Sequence, residues 1–310
     1  MAGRDPRADI LDDDPFRNQK PRIHRVHARQ SSDGTIHFDT GASAKMNPLF
    51  AQMMGLAQQQ PAQMHKGNIW HFSSEEKKHL RLATAAFTVA LGFMAVGGIW
   101  GIEPRGLGPW FTQFFLSMPV LLLAVGPAFL LHEIGHKIVA KKNGCWAEFR
   151  ADPGGLRFGI FLSFFIGILF MAPGAVMVAG LVTRRQNGHI AIAGPLVNFS
   201  LFLIGIPLWG IILGLTGAFD AAAMDTSYLV GSQLNWGLML VDAGIYWVYA
   251  NLILGLFNML PFGPLDGNKV KDWDENAFYV TISVFAILAV SIFLGFWSPY
   301  EVLQLIANFF

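Results

Sequence analysis

The sequence predicts an all-α polytopic membrane protein, and three observations predict it. Of 310 residues, 53% are hydrophobic and only 14% are charged, well outside the usage of a soluble globular domain. Apolar stretches long enough to cross a hydrocarbon core of about 30 Å, each needing roughly 20 residues, recur from Leu82 to Trp297. Lys and Arg collect before the first of these stretches and then at alternate stretch ends, as positive-inside sorting requires. A single water-soluble core would need neither feature.

The net charge of +1 leaves no electrostatic footprint for nucleic acid, so no such partner is expected. The single cysteine, Cys145, excludes an intrachain disulfide framework. Without a CxxC or Cys/His neighbour it reads as a buried or strand cysteine. Residues 1–20 mix acids, bases and proline with no apolar core, so no cleavable signal peptide is expected and the first span directs insertion. Residues 1–72 read as a polar, largely disordered cytoplasmic arm. Its one apolar island, MNPLFAQMMGL at 46–56, reads as local packing, and His24, His27, His37, His65 and His71 as solvated. Residues 73–310 form the membrane domain.

Within it, Ser73 and Glu76 have capping-box spacing ahead of a helical run over 77–100. A loop with Glu103, Pro104 and Arg105 leads past Trp110 to a second span over 119–140, closed by Lys141 and Lys142. Twelve Lys and Arg residues precede Leu82, which puts the N-terminus in the cytoplasm and runs the second helix from outside to inside. Cys145-Trp-Ala-Glu-Phe-Arg150 alternates as a short strand, and Asp152-Pro-Gly-Gly155 reads as a turn. Residues 158–182 are apolar, interrupted at Met171-Ala-Pro-Gly174 and flanked on both sides by arginine. A re-entrant hairpin turning near Pro173 and Gly174, or two short tilted helices, keeps both flanks inside; a full crossing does not. Further spans are expected over 190–215, 241–260 and 278–297. Asp220 and Asp225 mark an outer segment, while Lys269 and Lys271 mark an inner one. Trp100, Trp110 and Trp297 read as interfacial belt residues, and Asp242 as interfacial.

The second span ends in His132-Glu-Ile-Gly-His136. Positions i and i+4 share a helix face, so both imidazoles can reach one zinc ion. Glu133 is one residue round, where a general base for a zinc-bound water belongs. A Glu and two His at membrane depth are costly unless paired, metal-bound or facing water, which disfavours a plain packing role. Zinc hydrolases present three protein ligands, and Asp266 is a candidate for the third; an Asp-Gly after two prolines is equally the signature of an ordinary turn. The derived topology brings Asp266 to the depth of the histidines, because the second and fourth spans run in the same direction. Gly194-Pro-Leu-Val-Asn198 opens the third span at that level.

These residues resemble the site-2 protease group of intramembrane metalloproteases. HEIGH at 132–136 matches its HExxH, NMLPFGPLDG at 258–267 its NxxPxxPLDG, and GPLVN at 194–198 its GxxxN, the core motifs lying within 120–270. The resemblance implies one zinc held by His132, His136 and Asp266, Glu133 as base, and Asn258 and Asn198 near the reacting peptide. It also implies a transmembrane protein substrate, unwound and cut close to the cytoplasmic face, with membrane lipid as the surroundings. An amide such as Asn258 can stabilise an oxyanion; both asparagines also suit hydrogen bonding between helices. Pro261 and Pro264 break the helix, which is tolerated where backbone lines a wet cavity. The expected fold is thus five to seven transmembrane or re-entrant helices with a short β segment near the active site, whose open edge could pair with an extended peptide. A non-catalytic metal-binding membrane protein or transporter is the alternative; it fits an intact Glu133 less well, and the inverted repeats of a transporter are missing. A prenyl-protein processing enzyme would lack the 258–267 motif.

Overall fold

The structure, a computed structural model, describes residues 27–30, 36–39, 68–171, 173–180, 182–222 and 227–310, in one unit ending at Met64 and another running from His65 to Phe310. In the first, β1 (His27–Gln30) pairs antiparallel with β2 (Ile36–Asp39). The expectations for the 46–56 island and most of the arm fall outside the described residues.

The second unit begins with α1 (Ser74–Ala95), capped by Ser73, whose hydroxyl accepts the Glu76 N–H at 3.1 Å. Only half of the expected capping box forms, because the Glu76 carboxylate turns inward instead of returning to Ser73. A break bent by 47° leads to a further turn ending at Arg105, and the pair together is long enough for one span. Helix α2 (Leu107–Lys142) is the longest at 36 residues. It starts twelve residues before the expected second span (119 − 107 = 12). Pro119 lies inside it rather than at its start: proline removes one N–H from the ladder, a loss a packed transmembrane bundle absorbs. Trp110, expected at an interface, is buried, its indole N–H on the Gly98 carbonyl at 2.8 Å and its ring stacked on Phe114.

β3 (Trp146–Ala151) follows as expected, but Asp152 does not open a turn. It caps α3 (Pro153–Ile166), accepting the Gly154 N–H at 2.9 Å ahead of a proline at the first helical position, an arrangement that starts helices. The chain reverses at Gly167, φ +77°, not at Pro173 and Gly174. A Cβ at Gly167 would press on the Gly97 backbone, 2.7 Å from its carbonyl carbon. Beyond Gly167 comes β4 (Gly174–Ala179), which pairs antiparallel with β3, Phe149 opposite Val176. Both flanks of this excursion therefore lie at one end of the bundle, as the re-entrant reading requires.

Helix α4 (Arg184–Thr216) opens with a complete Thr183/Gln186 capping box and carries Pro195 and Pro207. After the short hairpin of β5 (Leu229–Val230) and β6 (Gln233–Leu234) come α5 (Trp236–Asn258), α6 (Asp266–Trp273), α7 (Glu275–Phe293) and α8 (Pro299–Ala307). Among the described residues four single helices, α2, α4, α5 and α7, are long and apolar enough to span a membrane, and five spans result when the bent pair is added. Their outward faces carry Phe293, Ile287 and Ile204 exposed, as surfaces solvated by lipid do. The molecule is a multi-pass membrane protein with an all-α architecture and small two-stranded sheets.

Among the described residues, the three largest of five apolar clusters hold the bundle. One joins Phe87 and Leu91 to Phe129, Phe149 and Leu156; a second joins Trp209, Leu213, Val241 and Leu303; a third joins Phe202, Leu252, Met259, Val270 and Phe285. Asp242 turns inward, accepting the Tyr228 hydroxyl at 2.8 Å beside a cavity of about 310 Å³. Gly167→Ala is expected to destabilise the chain by about 1–3 kcal/mol, since a side chain there strains a left-handed backbone and crowds Gly97. Thermal unfolding in detergent checks this, and an unchanged midpoint would show that the reversal tolerates a side chain.

Candidate metal centre

Helices α2 and α5 run in the same direction. Near their starts Gln113 Oε1 accepts the Tyr228 N–H at 3.1 Å, and at their far ends His132, His136, Leu254 and Asn258 line one cleft. Helix α4 runs against both, bringing Ile190 and Asn198 to the histidines. The three motifs therefore meet at one end of the bundle.

His132 and His136 follow each other by one helical turn, with Nε2 atoms 3.0 Å apart. Asp266 Oδ2 lies 3.4 Å from the first and 3.1 Å from the second. Ligand atoms of a tetrahedral zinc site with bonds near 2.0–2.1 Å stand about 3.3 Å from one another, so this triangle fits one such ion. The tautomers fit as well. His136 Nδ1 donates to the Ile190 carbonyl at 2.7 Å, and His132 Nδ1 to Asn198 Oδ1 at 2.6 Å. Both Nε2 lone pairs are thereby turned toward Asp266, as metal-ligating histidines require.

A second trio, His132, Glu133 and His136, has ligand atoms within 4.8 Å of one another. It is looser than the Asp266 triangle, and Glu133 Oε2 is engaged by the Val176 N–H at 3.1 Å. The Glu133 carboxylate thus stands beside the triangle. Asp266 is not in a turn: Leu265 precedes it as the N-cap of α6, and Asp266 opens the helix. A Cβ at the following Gly267 would overlap the Met259 carbonyl, so glycine there lets α6 close against the end of α5. Lys269 Nζ approaches Asp266 Oδ1 at 3.5 Å.

The remaining expected residues occupy different places. Asn258 lines the cleft, with its amide currently donating to the Leu254 carbonyl at 3.0 Å. Asn198 is fully buried behind His132, donating to the Ala128 carbonyl and to Asn251 Oδ1 at 2.9 and 3.1 Å. Asn251, which sequence reading passed over, fixes Asn198 and donates in turn to Trp247 O. An asparagine inside an apolar span was the available signal. Gly194 also has a defined place, since a Cβ there would lie 2.5 Å from both Nε2 atoms.

The cleft holds about 350 Å³ and is bounded by residues 174–178 of β4 and by Phe129, Phe257 and Pro264. The strand at its wall is β4, whereas the sequence pointed to the segment that became β3. Spanning helices around a His/His/carboxylate centre define a membrane metalloprotein with a hydrolase-type site.

A sequence profile of peptidase family M50 matches residues 120–272. The chain is 37% identical over 179 residues to the MJ0611 protein of Methanocaldococcus jannaschii, covering 57% of this chain and 81% of that protein. It is 30% identical to MJ0392 of the same organism and to YwhC of Bacillus subtilis, over 53% and 52% of this chain and 36% and 71% of those proteins. All three bear the name zinc metalloprotease. No solved structure matches the chain significantly. The chain belongs to peptidase family M50, the site-2 protease family, and is a zinc metalloprotease.

Gly194→Ala is expected to push the two imidazoles apart and lower zinc affinity by at least about tenfold, since small misplacements of ligands are strongly felt. Competition titration against a chelator reads this directly, and wild-type affinity would show that the helix yields instead.

Proposed function

We propose that this chain hydrolyses peptide bonds within the transmembrane segment of membrane-protein substrates, close to the cytoplasmic face. His132, His136 and Asp266 hold one zinc ion, and Glu133 is the general base. The observation that carries the reading is the triangle of ligand atoms from two separate elements, within 3.4 Å of one another, with a carboxylate beside it at the wall of a cleft. Zinc in that triangle supplies a Lewis acid that polarises a carbonyl and makes water acidic enough to lose a proton near neutral pH.

The chain's own residues do the rest. Glu133 receives the Val176 N–H on one oxygen, which orients the other to take the proton of attacking water and deliver it to the leaving amine. Asn258, at the rim of the same cleft, turns its amide from the Leu254 carbonyl to the developing oxyanion. A transmembrane helix satisfies its peptide groups internally, so a helix opened for cleavage needs replacement partners. β4 supplies them: it pairs with β3 on one side only, and its other edge borders the cleft, as in strand addition. Water enters where the helix is broken, at 259–265, where Phe262 is exposed. The cytoplasmic assignment rests on the twelve basic residues before Leu82 and on Lys141, Lys142, Lys269 and Lys271 at the site end of the bundle.

Purified protein is expected to hold about one zinc per chain and to cleave a transmembrane peptide. Glu133→Gln should keep the metal and lose about 10²- to 10⁴-fold in turnover; undiminished cleavage would remove Glu133 from the mechanism. Asp266→Ala should weaken zinc binding while the helical signal of the chain persists. Unaltered affinity in that variant would reject Asp266 as a ligand.

A further inference from the structure

Hydrogen bonds flank one rung of the β3–β4 hairpin on both sides. Phe149 and Val176 face each other across that rung, and their N–H groups point away from one another, as in the non-hydrogen-bonded pairs of an antiparallel ladder. The Val176 N–H donates to Glu133 Oε2 at 3.1 Å, and the Phe149 N–H to Glu76 Oε1 at 3.1 Å. Lys137 Nζ donates to both oxygens of Glu76, at 2.7 and 2.5 Å. Lys137 follows Glu133 by four residues and shares its helix face. Helix α2 thus grips a single rung from two sides, through Glu133 on β4 and through Lys137 and Glu76 on β3.

Nothing in this network is free to swing. Glu76 and Lys137 are fully buried, and Lys137 Nζ also donates to the His71 carbonyl at 2.9 Å and sits 3.5 Å from the centre of the Phe72 ring. The space between Glu76, Glu133, Lys137, Phe149 and Val176 is about 10 Å³, room for one water at most. An ion pair taken out of water is no dependable source of stability. Its presence one turn from Glu133 calls for another role.

We propose that Glu76 and Lys137 are positioning residues for peptide hydrolysis. They hold the rung that orients the Glu133 carboxylate and keep the β4 edge in register with the metal centre. This rests on the preceding reading of Glu133 as the base. A misplacement of that carboxylate by a fraction of an ångström slows the chemical step without touching the ligand triangle.

The test measures kcat and KM on a transmembrane peptide, with zinc content and thermal midpoint on the same samples. Lys137→Met is expected to lower kcat at least about tenfold and to change KM by less than about threefold, with zinc content unchanged. The double variant Glu76→Gln/Lys137→Met leaves no unpaired buried charge; it should fold as wild type and stay slow. Lys137→Arg, which keeps a cation, should recover most of the turnover. A folded, zinc-loaded double variant with wild-type kcat would overturn the proposal, and so would a loss of kcat that only tracks loss of zinc. Amide hydrogen exchange needs no substrate: Val176 protection should fall in Lys137→Met, and unchanged protection there would also overturn it. Wild-type protein that cleaves nothing would refute the protease reading and leave the exchange result to be read independently.

Discussion

Three electron-rich atoms, two imidazole nitrogens and a carboxylate oxygen, converge within 3.4 Å in a buried site. Lone pairs so placed repel one another and have lost their water, so the arrangement suits a cation among them. Much of the structure exists to present these atoms in one orientation. Ile190 and Asn198 hold the far side of each ring. Gly194 leaves the room that a methyl group would take, and Gly267 lets the helix carrying Asp266 approach.

The second constraint is the membrane. Hydrolysis needs water, polar side chains and an accessible peptide backbone, and a hydrocarbon core offers none of these. The chain meets this by setting the site at one end of its spans and by breaking regular structure beside it. The interruption at 259–265 and strand β4 of the two-stranded hairpin border the same cleft. Irregular backbone at such depth survives because it is packed by protein or lines a cavity. The far end of the bundle is held by apolar contacts around Trp209, Leu213 and Leu303.

Two sets of buried polar groups outside the ligand triangle are connected networks. Asn251 fixes Asn198, which fixes His132; Lys137 fixes Glu76, which fixes the hairpin that holds Glu133. In a low-dielectric interior such sets are rigid when every member is satisfied. Rigidity is what the proposed base and the candidate metal-binding rings require.

Apolar length, charge placement and the HExxH spacing are local properties, so the sequence by itself determined that there are several spans, their directions relative to one another and the pairing of His132 with His136 on one helix face. It also placed Asp266 at their depth, since depth follows from span direction. What it could not determine depends on contacts between distant segments. Asp152 looked like a turn and became a cap, and the reversal fell at Gly167 because only there does the chain pass against Gly97. Trp110 left the interface for Gly98, and Glu76 gave up its capping bond for Lys137. Only the tertiary structure decided these, because each is a choice between two partners of similar local worth, and the winner is the one that leaves no buried donor or charge unanswered.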